Sequence, residues 1–155
     1  MHLPIKVNHA RLTETHSPSL CSFTVMPEKY KQYFSSHIDA KEAPVLPATA
    51  ITWMQGNYKP DLQSKLYSPF IWPGGHKDLP PIAFQVCGLD MLRDGALIYE
   101  KVLREELGMK TRLQVYPGLP HGFWSFFPQL EASAGFRKDT VGNVRWLLEQ
   151  KGVNP

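Results

Sequence analysis

Long apolar runs are missing from this chain. No stretch approaches the length of a membrane span. The first ten residues carry Pro4, Lys6, Asn8, His2 and His9, where a signal peptide needs an unbroken apolar core. A cytoplasmic protein with no membrane span is therefore the expectation. Cysteine is scarce: Cys21 and Cys87 are the two present, far apart and without a C-x-x-C partner, which excludes a zinc knuckle and a disulfide framework and implies two reduced thiols. One-signed charge is lacking as well. Charged residues make up 20% of the chain, the formal net charge is +3, and Lys and Arg are scattered, so nucleic acid is not an expected partner. His2, His9, His16, His37 and His76 have no mutual ligand spacing. Neither a metal nor a cofactor is expected.

What is present is a chain of 155 residues with 43% hydrophobic composition, enough for one globular domain with a real core. Proline and serine punctuate its first half, and a periodic second half begins at Leu79-Pro80-Pro81. Residues 1–21 carry no assignment. Residues 22–79 read as a strand, Leu20 to Val25, followed by short helices in loops, at 27–34 and 48–58, suited to a cap. In the second of these helices Ile51, Trp53 and Met54 are candidates for packing, and the prolines at 44, 47, 60, 69, 73, 80 and 81 rule out long central strands.

Residues 80–155 read as an α/β core. Ile82 to Cys87 is short and nearly all apolar, as for a strand buried on both faces of a parallel sheet. Asp94 is the expected N-cap of a helix from Gly95 to Leu107, with Ala96, Tyr99, Leu103 and Leu107 on one face and Gly108 as its stop. A strand follows from Arg112 to Tyr116, alternating Leu113 and Val115 with polar neighbours and ending at Pro117-Gly118. Strand, helix and strand make a right-handed βαβ crossover. A last helix, 138–150, has Val141, Val144, Leu147 and Leu148 as its expected inward stripe.

In open α/β sheets the reactive groups gather beyond the C-terminal ends of the strands. Two such loops occur here, 88–94 with Asp90 and 118–123 with His121. A carboxylate that accepts the Nδ1 proton of an imidazole fixes its tautomer and makes Nε2 a usable base. Taken singly, Asp90 is also an ordinary turn former and His121 an ordinary loop histidine. Arg93 and Asp94 read as a helix-start ion pair or cap, and Cys87 as a small buried hydrophobe. Phe123, Trp124, Phe126 and Phe127 read as core, with an acyl-pocket wall as the alternative.

Gly-Leu-Asp-Met-Leu-Arg-Asp at 88–94 and Tyr-Pro-Gly-Leu-Pro-His-Gly-Phe at 116–123, in that order, resemble the C-terminal half of the hormone-sensitive-lipase-like esterases, the α/β-hydrolase fold-3 group. The resemblance spans roughly 26–150 and implies Asp90 as triad acid and His121 as triad base. The Gly-x-Ser-x-Gly nucleophile elbow is absent. Ser133, in Glu-Ala-Ser-Ala-Gly, has half the pattern but lies after His121 and follows no strand. Gly74-Gly75-His76 runs opposite to the family's oxyanion motif. The missing part is expected to precede this chain, leaving weak or no ester hydrolysis by the chain alone. Two alternatives stand beside that expectation. One is a non-hydrolytic acid-base enzyme, performing elimination, isomerisation or cyclisation on an ester or carbonyl substrate with a His121–Asp90 dyad. The other is a non-catalytic protein in which a second copy or a partner chain covers an exposed sheet edge.

Overall fold

The computed structural model describes residues 11–14 (as backbone), 25–64, 67–72, 74–76 and 79–150. Residues 20–24 of the expected first strand lie outside these, as do Cys21, His2, His9 and His16. Three parallel strands are described, β1 (Arg11–Glu14), β2 (Ile82–Leu89) and β3 (Thr111–Pro120), in the order β1-β2-β3. The Arg11–Glu14 strand has no counterpart in the sequence expectations. Four residues of mixed polarity show no period, and only pairing with Ile82–Gln85 makes them a strand.

β2 is central and buried through Cys87. Its alternate side chains serve two layers. Ile82, Phe84 and Val86 pack on Ala96, Tyr99 and Leu103 of the following helix, each large apolar group contributing roughly 1.5–3 kcal/mol by leaving water. Ala83, Gln85 and Cys87 face the other way, where Cys87 meets Phe123 and Phe136. Cys87 is the buried small hydrophobe that the apolar run implies.

Before β2 lie α1 (Glu28–Lys31), α2 (Ser36–Asp39) and α3 (Ala48–Tyr58). The 48–58 helix stands where expected, but Trp53 is 70% and Met54 43% exposed and none of its residues is buried, so it does not pack through them. After β2 comes α4 (Arg93–Lys101), which continues as a π-helical turn over Val102–Glu106. Gly108, at φ +62°, ends it as expected. The helix starts two residues earlier than the Asp94 cap predicts. Leu92 occupies the N-cap position, and the Asp94 carboxylate instead receives the backbone N–H groups of Ser35 and Ser36, both at 2.6 Å.

β3 runs past Pro117-Gly118. Between the pairs Cys87↔Tyr116 and Leu89↔Pro120, β3 advances four residues while β2 advances two, a bulge built on a residue without N–H and on Gly118 at φ +70°. Leu113 and Val115 are 37% and 42% exposed. They share the face of Phe84 and Val86 by register, but α4 packs over β2, and β3, at the edge of the described strands, keeps the wetter flank.

The chain ends in α5 (Phe123–Phe126) and α6 (Glu131–Glu149). The expected inward stripe of α6 is mostly its outer face: Val141 is 62%, Val144 43% and Leu148 39% exposed, and of the four only Leu147 is buried. Ser133, Phe136, Asn143 and Leu147 point inward instead. The sheet surface beneath explains this, because it presents the polar ends of Gln85, Gln114 and Tyr116. Thr140 Oγ1 donates to Gln85 Oε1 at 3.0 Å and Asn143 Nδ2 to Gln114 Oε1 at 2.8 Å; buried amides need such partners. No helix among the described residues is long and apolar enough to cross a membrane.

Candidate active site

β2 delivers Asp90 and β3 delivers His121, each just past the C-terminal end of its strand. The backbone at Gly88 makes this closeness possible. A Cβ there would stand 2.8 Å from Pro117 Cα and 2.9 Å from the Tyr116 carbonyl oxygen, so only glycine lets the two strand ends approach. Beyond His121, Gly122 takes φ +65° and turns the chain into α5.

The Asp90 carboxylate is buried and divided between two partners. Oδ1 accepts the backbone N–H of Leu92 at 2.9 Å. Oδ2 lies 2.8 Å from His121 Nδ1. A carboxylate has no proton to give, so this bond sets the His121 proton on Nδ1 and leaves the lone pair to Nε2. The His121 side chain is 17% exposed against 0% for Asp90, so the acid is sealed while the imidazole keeps an open side. The two residues singled out in the sequence are thus brought into direct contact. Such a pair orients an imidazole as a general base or acid.

The 88–94 loop has a second set of partners that the sequence did not reveal. Arg93 donates from Nη1 to the Gly88 carbonyl at 3.2 Å and from Nε to Asp94 Oδ1 at 2.7 Å. Its Nη2 reaches Asp39 Oδ2 at 3.2 Å. The Asp94 hydrogen bond, before any other cause, holds the Arg93 guanidinium above its ordinary pKa. Hydrogen bonds from Ser35 and then Arg93 hold the Asp39 carboxyl below its ordinary value. The ion pair expected of Arg93 and Asp94 is present; the partners in α2 and at its N-cap Ser35, some 54 to 59 positions away, have no local sequence signal.

The remaining candidates, Phe126 apart, fall into the core. Phe123 is buried, Trp124 stacks on Phe136 with centroids 3.9 Å apart and planes at 1°, and Tyr116 lies beside both phenylalanines. Phe126 is 63% exposed. Ser133 is buried, and its Oγ donates to the Phe127 carbonyl at 2.8 Å, a tether between α5 and α6. Among the described residues no group of His, Cys, Asp and Glu is placed to hold a metal ion.

Residues 10–125 match the family model described as alpha/beta hydrolase fold. An AB hydrolase superfamily protein of Schizosaccharomyces pombe is 39% identical over 131 residues, 84% of this chain and 38% of that protein. Versiconal hemiacetal acetate esterase of Dothistroma septosporum is 30% identical over 134 residues, 86% of this chain and 40% of the esterase. The crystal structure of vibralactone cyclase is similar with a TM-score of 0.83 at 32% identity, covering 91% of this chain and 40% of the cyclase. The chain therefore spans about two fifths of the length of the relatives it matches.

Proposed function

Because this chain belongs to the α/β-hydrolase fold family, in its hormone-sensitive-lipase-like group, we propose that Asp90 and His121 are the acid and the base of an ester-cleaving site whose nucleophile the 155 residues do not contain. The 2.8 Å contact between Asp90 Oδ2 and His121 Nδ1 carries this reading. In acyl transfer the Nε2 lone pair takes the hydroxyl proton of a serine as its oxygen attacks the ester carbonyl, then returns that proton to the departing alkoxide. Asp90 holds the ring through Nδ1 and offsets the charge it acquires. Without Gly-x-Ser-x-Gly this chain supplies the proton-transfer half of the reaction and not the attacking oxygen. Alone it hydrolyses esters weakly or not at all, and a serine from another polypeptide segment completes the site.

In the same reading the substrate is a small ester or carbonyl compound met in the cytoplasm. A second copy or a partner chain lies along the sheet. The edge position of β1 among the described strands and the exposed Leu113 and Val115 support this, and mass in solution by light scattering tests it.

A short-chain p-nitrophenyl ester is the direct assay for the site. Turnover by the chain should stay near background and be the same in His121→Ala. Robust turnover that His121→Ala abolishes would show that a nucleophile is present after all.

The likeness to vibralactone cyclase favours one second reading, in which the pair serves ring formation in place of ester cleavage. Here His121 Nε2 takes a proton from a substrate hydroxyl, the oxygen closes on an ester carbonyl of the same molecule, and the expelled alkoxide takes the proton back; from a carbon beside a carbonyl, the same nitrogen moves the proton to another atom of the substrate. Ring formation lost in both His121→Ala and Asp90→Ala would support it.

A further inference from the structure

We infer that Asp94 and Ser36 are positioning residues for the Asp90–His121 pair, forming a buried clamp that ties the α2 turn to the loop carrying Asp90; this rests on the reading of that pair as the site. The clamp grips the loop on both sides of the acid. Upstream, Arg93 Nη1 holds the Gly88 carbonyl at 3.2 Å. Downstream, Ser36 Oγ donates to the carbonyl of Met91, the residue after Asp90, at 2.9 Å.

The α2 end is fastened by charge. Asp94 Oδ2 accepts two backbone N–H groups, Ser35 and Ser36, each at 2.6 Å. Asp94 Oδ1 takes the Arg93 Nε proton at 2.7 Å. Arg93 then reaches across to Asp39, which also accepts from Ser35 Oγ at 2.6 Å. Ser36 is 0% and Asp94 5% exposed, and charge-assisted bonds in such surroundings are short and strong.

The geometric consequence falls on Asp90. Its carboxylate makes its bond to Leu92 N–H inside the clamped loop, and the Arg93 N–H closes the same turn on the Asp90 carbonyl at 3.1 Å. Release of Met91 and Gly88 frees that turn to rotate, and the oxygen facing His121 moves with it. Small displacements of an orienting group are enough to weaken catalysis. Residues 35–39 therefore do more than cover the core. They set the direction of the acid.

The test reads the pair without any assay of activity. In the full chain, proton NMR should show a strongly downfield His121 Nδ1–H resonance that Asp90→Asn removes. Asp94→Ala and Ser36→Ala should shift this resonance or abolish it. Leu147→Ala, a buried change on α6, should lower Tm and leave it in place, which separates positioning from general loss of stability. Should Asp94→Ala fail to fold, Ser36→Ala decides alone, since it removes one hydroxyl. A wild-type resonance that neither substitution moves would overturn the clamp and leave the pair standing. No downfield resonance in the wild type would overturn the pair and the clamp together.

Discussion

The side-chain amide of Gln85 donates to the hydroxyl of Tyr116 at 2.8 Å, across the β2–β3 boundary and beneath α6. The same hydroxyl donates to Asp139 Oδ2 at 2.9 Å. Burial, opposed by the Gln85 bond and aided by Asp139, pushes the Tyr116 phenol well above its ordinary value of 10.0. A raised folded-state value means that this stabilisation is complete below pH 10 and is lost as pH rises toward the folded value. Absorbance titration at 295 nm should show one tyrosine ionising after the others. Tyr116→Phe should lower stability by about 1 kcal/mol at neutral pH and flatten the decline above pH 10, as measured by urea unfolding.

The orientation of α6 is open to a two-variant comparison. Phe136 is 2% exposed and carries the Trp124 stack, so Phe136→Ala should cost about 3–5 kcal/mol and remove near-ultraviolet dichroism from Trp124. Val141, 62% exposed, should tolerate serine to within about 0.5 kcal/mol. Equal losses in chemical denaturation would mean that the helix is rotated from the orientation described.

At Gly88 even a methyl group has no room, since the nearest atoms are backbone and cannot rotate away. Gly88→Ala should destabilise by about 1–3 kcal/mol. It should also separate the strand ends that bear Asp90 and His121, weakening the downfield His121 proton signal along with thermal stability.

Asp90 and His121 should be coupled in stability as well as in any chemistry. Removing either leaves a group in the buried bond without its partner. A double-mutant cycle of Asp90→Ala and His121→Ala should return an interaction of about 0.5–3 kcal/mol. Additive losses would contradict the direct contact.

Where the sequence carried strong local rules, it was legible. The apolar run 82–87 is a buried central strand, Gly108 stops the helix after it, and the two motifs that bear Asp90 and His121 meet in space. Misreadings arose where two faces were equally plausible. On α6 the aliphatic stripe and the inward stripe are both helical in period, and nothing local says that the sheet below is polar at Gln85, Gln114 and Tyr116. On β3 the apolar alternation is real, but an edge strand is covered only as far as the neighbouring helix extends.

By itself the sequence determined the periods, the helix stop at Gly108 and the order of Asp90 and His121 on successive strand ends, because these follow from nearest neighbours along the chain and from residue type. Only the tertiary structure decided which face of α6 is inside, that Asp94 serves α2 rather than its own helix, and that Asp90 stands 2.8 Å from His121. Those outcomes depend on unpaired N–H groups and polar side chains brought together from positions far apart in the chain. Burial then requires each of them to find a partner.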